Sequence, residues 1–310
     1  CAPHLDAFSP NRILDITPGF LEEVLAHLSA ARIDMVSMDD AVERIRAPEG
    51  GRFFVALTLD DGFRDVTDAA LPVLRKYQAP ACVYVVPGFA QRTSPLWWLD
   101  LESAVRRLEH VDIMLDGARM NWPARTASEK RRAYDEVYWL LRDRPEDDLR
   151  ACVSALAEKA GHDSLGLVST LCLDWDGICR LAADPLITLG AHTLTHPRLA
   201  RIDATAAFDE ISGSKAEIEA RTGLTIRHFA YPVGDAASAG LREFAMAAQA
   251  GFTSAVTTRP GHVFAGHGSH LNALPRVSLN GLHQNKAALR ALLSGLPFLA
   301  LNWGRKLDIG

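Results

Sequence analysis

Along the first ninety positions the apolar residues switch between helical and extended spacing. Thr17 to Leu28 puts Phe20, Val24, Leu25 and Leu28 on one helical face, with Thr17 as N-cap and Pro18 at the first helical position. Ile33 to Met38 reads as a short strand and Asp39 to Ile45 as a helix. Phe53 to Leu57 is a continuous run rich in β-branched and aromatic residues, which predicts a buried strand. Phe63, Val66, Ala70, Val73 and Tyr77 then recur at helical spacing. Ala81 to Val86 predicts the next strand, closed by Pro87-Gly88. Helices alternating with strands in this way predict a parallel sheet or barrel rather than hairpins.

Leu96 to Leu108 predicts a helix, and Ala127 to Gly161 is charged and helical in pattern throughout. Together they predict a helical insertion over about residues 102–172, packed on the outside of the barrel. The alternation then resumes. Asp174 to Ala182 reads as helix, Ile187 to Ala191 as strand, and Ala204 to Arg221 as a helix with Gly223 near its C-cap. Strands are predicted at Ile226 to Tyr231, Phe252 to Thr257 and Leu274 to Leu279, and helices at Ser238 to Ala250 and Ala287 to Leu293. An apolar tail follows from Leu296 to Trp303. With no internal repeat and no low-complexity stretch, residues 1–310 read as one domain.

Composition narrows the partners. A chain of 310 residues that is 48% hydrophobic can bury a large core. Its net charge of −5, without a long Lys/Arg run, argues against nucleic acid. No window approaches the ~18 consecutive apolar residues of a membrane span. The five cysteines (Cys1, Cys82, Cys152, Cys172 and Cys179) are scattered and lack zinc-ribbon spacing. They read as reduced, mostly buried thiols, so the cytoplasm is the expected location. The chain opens at Cys1 rather than Met, which reads as a trimmed sequence in preference to a lipoprotein cysteine, because no flexible tether follows; a signal segment upstream stays open.

Thr58-Leu59-Asp60-Asp61-Gly62 sits where the strand ending at Leu57 turns into a helix. Neighbouring strand residues point to opposite faces. Both carboxylates therefore serve one site only if the backbone bends, a freedom Gly62 supplies. The same residues also suit a plain turn with an Asp helix cap. His192-Thr193-Leu194-Thr195-His196 follows the strand ending at Ala191, and its two histidines, four apart, share one face of a helical turn. In a parallel barrel the C-terminal strand ends converge on one rim. Two imidazoles and a carboxylate there leave coordination positions open, the catalytic rather than the structural pattern. Arg227-His228-Phe229-Ala230-Tyr231-Pro232-Val233-Gly234 is a third strand running into a bend, and alone reads as an ordinary turn.

T-L-D-D-G, H-T-L-T-H and F-A-Y-P-V-G, in that order and each at a strand end, resemble the polysaccharide deacetylases of carbohydrate esterase family 4. The resemblance spans about residues 50–280 apart from the insertion. It implies a deformed (β/α)7, TIM-like barrel and a divalent metal, most often Zn2+. The reaction it implies is hydrolysis of N-acetyl groups on amino sugars in a polysaccharide, oligosaccharide or lipid-linked glycan. Carried onto this chain, it makes Asp61, His192 and His196 the metal ligands, Asp60 the general base, and Tyr231 a substrate contact at a bend whose backbone N–H groups face the oxyanion.

This chain departs from the family pattern in three places. Leu59 replaces an aromatic residue. Ala230 stands where an arginine is usual and Arg227 lies three positions early, so Arg276, ending another strand, is expected to hold Asp60 ionised. The usual L-x-H motif is absent, and His262 is the nearest candidate for the general acid, with His267 and His270 behind it. Trp97 and Trp98 are read either as a stacking platform for a sugar or as a core pair. The apolar tail followed by Arg305 and Lys306 suits peripheral contact with the inner membrane face, and hence a lipid-linked sugar, or equally a helix closing the bottom of the barrel. An amide or formamide hydrolase with another substrate, and a catalytically weak carbohydrate-binding relative, stay open; an intact Asp60 argues against the second.

Overall fold

The computed structural model of the chain describes residues 7–47, 52–302 and 305–309, so Cys1 and Trp303 lie outside the described residues. Helix α1 (Pro18–Ala30) starts where predicted, because the Thr17 side chain accepts the Phe20 N–H and Pro18 needs no partner for a missing donor. Strand β1 (Asp34–Val36), helix α2 (Met38–Arg46) and strand β2 (Phe54–Leu59) follow. Residues Val66–Ala70 form a π turn leading into α3 (Leu71–Tyr77), where Pro72 sits in the first turn. The predicted helix is present and unbroken from Asp65 to Tyr77, but it widens to a π turn before Pro72, which cannot donate to the turn preceding it. Strand β3 (Ala81–Val85) and the single turn α4 (Pro87–Ala90) complete this half.

The insertion is not helical throughout. After α5 (Trp97–Arg107) the chain forms an antiparallel hairpin, β4 (His110–Leu115) and β5 (Ala118–Pro123). Its turn is Asp116-Gly117, both at positive φ (51° and 78°), the D-G pair that matches the twist of a two-residue hairpin. Three helices follow, α6 (Ala127–Arg142), α7 (Glu146–Lys159) and α8 (Ser164–Leu171). They close their own core around Leu101, Val111, Val137, Leu149 and Val168.

The barrel chain resumes with α9 (Trp175–Ala182), β6 (Ile187–Ala191), α10 (Ala204–Thr222), β7 (His228–Ala230), α11 (Leu241–Gln249), β8 (Ser254–Pro260) and β9 (Leu274–Arg276). Gly223 ends α10 at φ 70°, where a Cβ would be strained. The tail is helical: α12 (Lys286–Ser294) and α13 (Leu296–Leu301).

Seven strands pair in the order β1-β2-β3-β6-β7-β8-β9, every neighbouring pair parallel. This is the α/β architecture of a deformed (β/α)7 barrel, with β1 and β9 at the edges of the sheet. All C-terminal strand ends fall on one side, which places the ends of β2, β6, β7 and β9 together. β1 pairs only with Phe54 to Ala56, so Leu57 to Leu59 have an open edge facing the last strand. Cys82 and Cys172 are buried free thiols, whereas Cys152 is half-buried and Cys179 exposed, so only some of the thiols are shielded.

Candidate active site

At the end of β2 the backbone turns through two left-handed residues, Asp61 (φ 71°) and Gly62 (φ 67°). The bend therefore does not fall on the glycine alone. Asp61 takes a conformation that costs an L-residue about 1 kcal/mol, and the turn breaks the strand alternation between the two carboxylates.

Asp60 is gripped by Arg276. The guanidinium donates to both carboxylate oxygens at 2.8 Å, while its Nε donates to the Thr257 carbonyl (2.8 Å) and its Nη1 to Thr58 Oγ1 (3.2 Å). Burial pushes the Asp60 pKa up, but the Arg276 charge and hydrogen bonds outweigh it and hold the carboxyl at about 2. Arg276 thus reaches the carboxylate from β9, in place of the distant Arg227, which pairs with Asp39 at 3.2 Å. Replacing Arg276 with Met should lower turnover about a hundredfold with the fold retained by circular dichroism, and Lys, which keeps the charge but not the two-pronged grip, should fall between. Steady-state kinetics of the two variants checks this.

Asp61 faces the histidines. Its Oδ1 lies 3.6 Å from His192 Nε2 and 3.4 Å from His196 Nε2, is buried, and has no hydrogen-bond partner. His192 Nδ1 meets the Ala230 carbonyl at 2.7 Å; donating there fixes the tautomer that leaves the Nε2 lone pair towards Asp61. The pair does not sit on a helical turn, as its spacing predicted. Residues 192–198 form a loop in which Thr193 and His196 are both at φ 62°, and Thr193 Oγ1 accepts the His196 N–H (2.9 Å). The histidines converge because the loop is wound tightly.

Several groups hold that loop. Glu210 on α10 accepts from Thr195 N–H (2.8 Å) and Thr195 Oγ1 (2.5 Å). From the insertion, Arg150 donates to the Thr195 carbonyl (2.9 Å), and Glu146 pairs with Arg198 (2.9 Å), both side chains almost fully buried. The insertion therefore braces the histidine loop. No sequence signal marked these residues, since a buried Arg–Glu pair looks like two surface charges until the fold joins them.

Burial, and then the neighbouring Asp60 charge, drives the Asp61 carboxyl well above the usual carboxylate range. Burial likewise lowers both imidazoles, with His192 lowering His196 further. Three donors pressed towards neutrality, converging within 4.8 Å of one another around an orphaned carboxylate oxygen, form a set that a divalent cation would satisfy. Two imidazoles and a carboxylate suit zinc.

The other expected residues separate. Tyr231 is fully buried, its hydroxyl on the Asn272 carbonyl (2.8 Å) and its ring on Phe229 and Phe244, so its side chain is core and not a substrate contact. His262 is not at the site. Its Nε2 meets the Leu292 carbonyl (2.8 Å) and its ring packs on Phe53 and Phe298. Phe53 precedes β2, seven residues from Asp60 or about 23 Å along an extended chain. Trp97 stacks on Tyr138 inside the insertion core, 5.5 Å between ring centres. Trp98 instead lies 4.8 Å from the His196 ring and lines the cavity in front of Asp60.

At the third motif, Tyr231 N–H is used by the Val256 carbonyl (3.1 Å) and Gly234 N–H by Pro232 (2.6 Å), and Pro232 has no N–H. Val233, held at φ 62° although β-branched, keeps an N–H with no partner among the described residues. It lines the same cavity as Asp60, Asp61 and Arg276. That cavity, 2120 Å³ and mainly apolar-walled, continues along the open edge of β2 towards α12.

Fold and site together define a β/α-barrel protein with a candidate metal-binding cleft at the C-terminal strand ends. The chain belongs to the polysaccharide deacetylase family, whose sequence profile, described as "Polysaccharide deacetylase", matches residues 47–255; the family acts on glycans carrying N-acetyl amino sugars. Among solved structures, the Streptococcus pyogenes deacetylase PplD in complex with acetate is 17% identical over 94% of this chain and 93% of its own, at a TM-score of 0.60. A de-N-acetylase from Aggregatibacter actinomycetemcomitans is 13% identical over 94% of each chain at 0.58. IcaB from Ammonifex degensii is 15% identical over 90% and 89% at 0.55. At these identities the likeness is one of fold. No curated protein sequence matches the chain.

Proposed function

We propose that this chain is a zinc-dependent N-deacetylase of an amino-sugar glycan, with Asp61, His192 and His196 as the ligands. The observation that carries the reading is the buried, unpartnered Asp61 Oδ1 facing two imidazole Nε2 atoms beside an arginine-held Asp60. When bound, the cation supplies Lewis-acid polarisation of the amide oxygen and acidifies a water. Asp60, ionised by Arg276, accepts the proton of the attacking water. The Val233 N–H is the backbone donor available to the developing oxyanion. With His262 engaged elsewhere, the proton on Asp60 is the one passed to the leaving amine, so one carboxylate serves as base and then acid. Chelation should abolish acetate release from N-acetylated oligomers, and zinc should restore it; activity untouched by exhaustive chelation would sink the metal assignment.

A lipid-linked substrate is favoured by one further observation. The cavity is larger than the ~300–1,000 Å³ usual for small ligands and its walls are mainly apolar. On α13, Phe298 is buried against His262, so this helix packs on the loop after β8, yet Leu296 and Leu301 stay 67% and 65% exposed. Arg305 and Lys306 follow. Among the described residues no helix is long and apolar enough to cross a membrane, so contact would be peripheral. The chain should co-sediment with anionic phosphatidylglycerol vesicles, and Leu296→Ser/Leu301→Ser should release it; equal sedimentation of both proteins removes the membrane reading.

A further inference from the structure

A second set of side chains with metal-ligand chemistry lies away from Asp60. His267 and His270, on the single 3-10 turn Ala265–Ser269 and the residue after it, face Asp308 from the tail, with donor atoms within 4.8 Å of one another. His267 is fully buried and its Nε2 has no hydrogen-bond partner. His270 Nε2 is likewise enclosed. Asp308 Oδ1 approaches it to 2.7 Å without meeting hydrogen-bond geometry. Two enclosed ring nitrogens facing one carboxylate are costly unless something satisfies them.

The opposite ring nitrogens are already engaged. His270 Nδ1 contacts Ser269 Oγ (2.9 Å), and His267 Nδ1 contacts the backbone of Phe264, 3.2 Å from its N and 3.3 Å from its O. His267 Nδ1 accepts the Phe264 N–H in one tautomer and donates to the Phe264 carbonyl in the other; only the second leaves the Nε2 lone pair free, so a cation would select it. Lys306 is turned away onto the Phe264 ring, 5.1 Å from its centre.

This cluster belongs to the bottom of the barrel. A Cβ on Gly268 would meet the Ile45 carbonyl at 3.2 Å, so the turn packs on the end of α2. The Arg44 guanidinium in that last turn lies 5.5 Å over Phe54, which begins β2, while Asp60 follows the end of the same strand, about 20 Å away. It is therefore separate from the His192/His196 centre.

We infer that His267, His270 and Asp308 form a second, structural divalent-metal site that clamps the tail segment 305–309 to the underside of the barrel. Two imidazoles and a carboxylate select a borderline cation such as zinc over calcium or magnesium. The tail already packs here: a Cβ on Gly261 would lie 3.2 Å from Leu307. Binding there would add a further tie between this segment and the turn packed on α2.

The test uses the full chain with His192→Ala and His196→Ala, titrated with zinc against a competing chelator. It should bind one zinc per chain, and adding His270→Gln or Asp308→Asn should weaken that binding at least about tenfold. A natively folded His192/His196 variant that binds no zinc, or affinity unchanged by both added substitutions, overturns the site. If that background fails to fold, Asp308→Asn in the otherwise unaltered chain should bind one zinc fewer than the parent, with N-acetyl hydrolysis unchanged. Zinc should also slow tryptic cleavage after Arg305 and Lys306 in the parent but not in Asp308→Asn. Equal stoichiometry and equal cleavage in the two proteins would refute the clamp.

Discussion

Asp61→Ala is expected to lose zinc at the His192/His196 centre and to lower deacetylation by more than about a thousandfold, since the substitution removes one of three converging donors. Its stability effect should be small. Ala is less tolerant than Asp of the left-handed φ of 71°, at a cost of about 1 kcal/mol, but removing a buried carboxyl with no partner on Oδ1 returns a similar amount. The metal-free variant should therefore melt within a few degrees of the metal-free parent. Zinc content by elemental analysis together with a thermal melt checks both halves. Loss of fold rather than of metal would mean that Asp61 serves the turn and not the site.

Asp60→Asn should behave in the opposite way. It should keep zinc at full stoichiometry and reduce turnover by about a hundredfold to ten-thousandfold, with little change in KM, because the amide cannot accept the water's proton. Arg276 would keep its bonds to Thr257 and Thr58 but lose its charged partner, so the fold should weaken by about 2 kcal/mol in chemical denaturation. These two outcomes together would separate the adjacent aspartates into a ligand and a proton carrier. Zinc lost from both variants alike would contradict that division.

Much of the barrel was legible because its strands are continuous apolar runs between clear helix caps. Ile187 to Ala191 and α1 with its Thr17 cap lie where the pattern put them. The hairpin at Asp116-Gly117 was missed although its signal was present: a D-G pair between alternating Val111, Ile113 and Leu115 on one side and Met120 and Trp122 on the other. The charged flanking helices drew the reading towards helix.

At the site, the three motifs identify positions at strand ends, and these the structure brings together. The spacing of His192 and His196 singled out a pair that the structure brings together, but through a wound loop and not a helical turn. Arg276 could be singled out because Ala230 stands at the usual arginine position and Arg276 ends another strand, and the structure pairs it with Asp60 at 2.8 Å. His262 could not be placed, because chain proximity to a strand end says nothing about which way the following loop turns. Tyr231 has the same difficulty: its ring belongs to the core, and what the bend leaves open is the main-chain N–H of Val233, unpartnered among the described residues. Pairs such as Glu146 with Arg198 join segments about fifty residues apart and become visible only in three dimensions.

The central claim is tested most directly by identifying the acid released from N-acetylated amino-sugar oligomers by the zinc-loaded chain, beside Asp60→Asn prepared in the same way. Acetate appearing in step with new free amines in the unaltered chain, and falling at least about a hundredfold in Asp60→Asn, is the predicted result. Formate in place of acetate, or equal acetate from the two proteins, would contradict it.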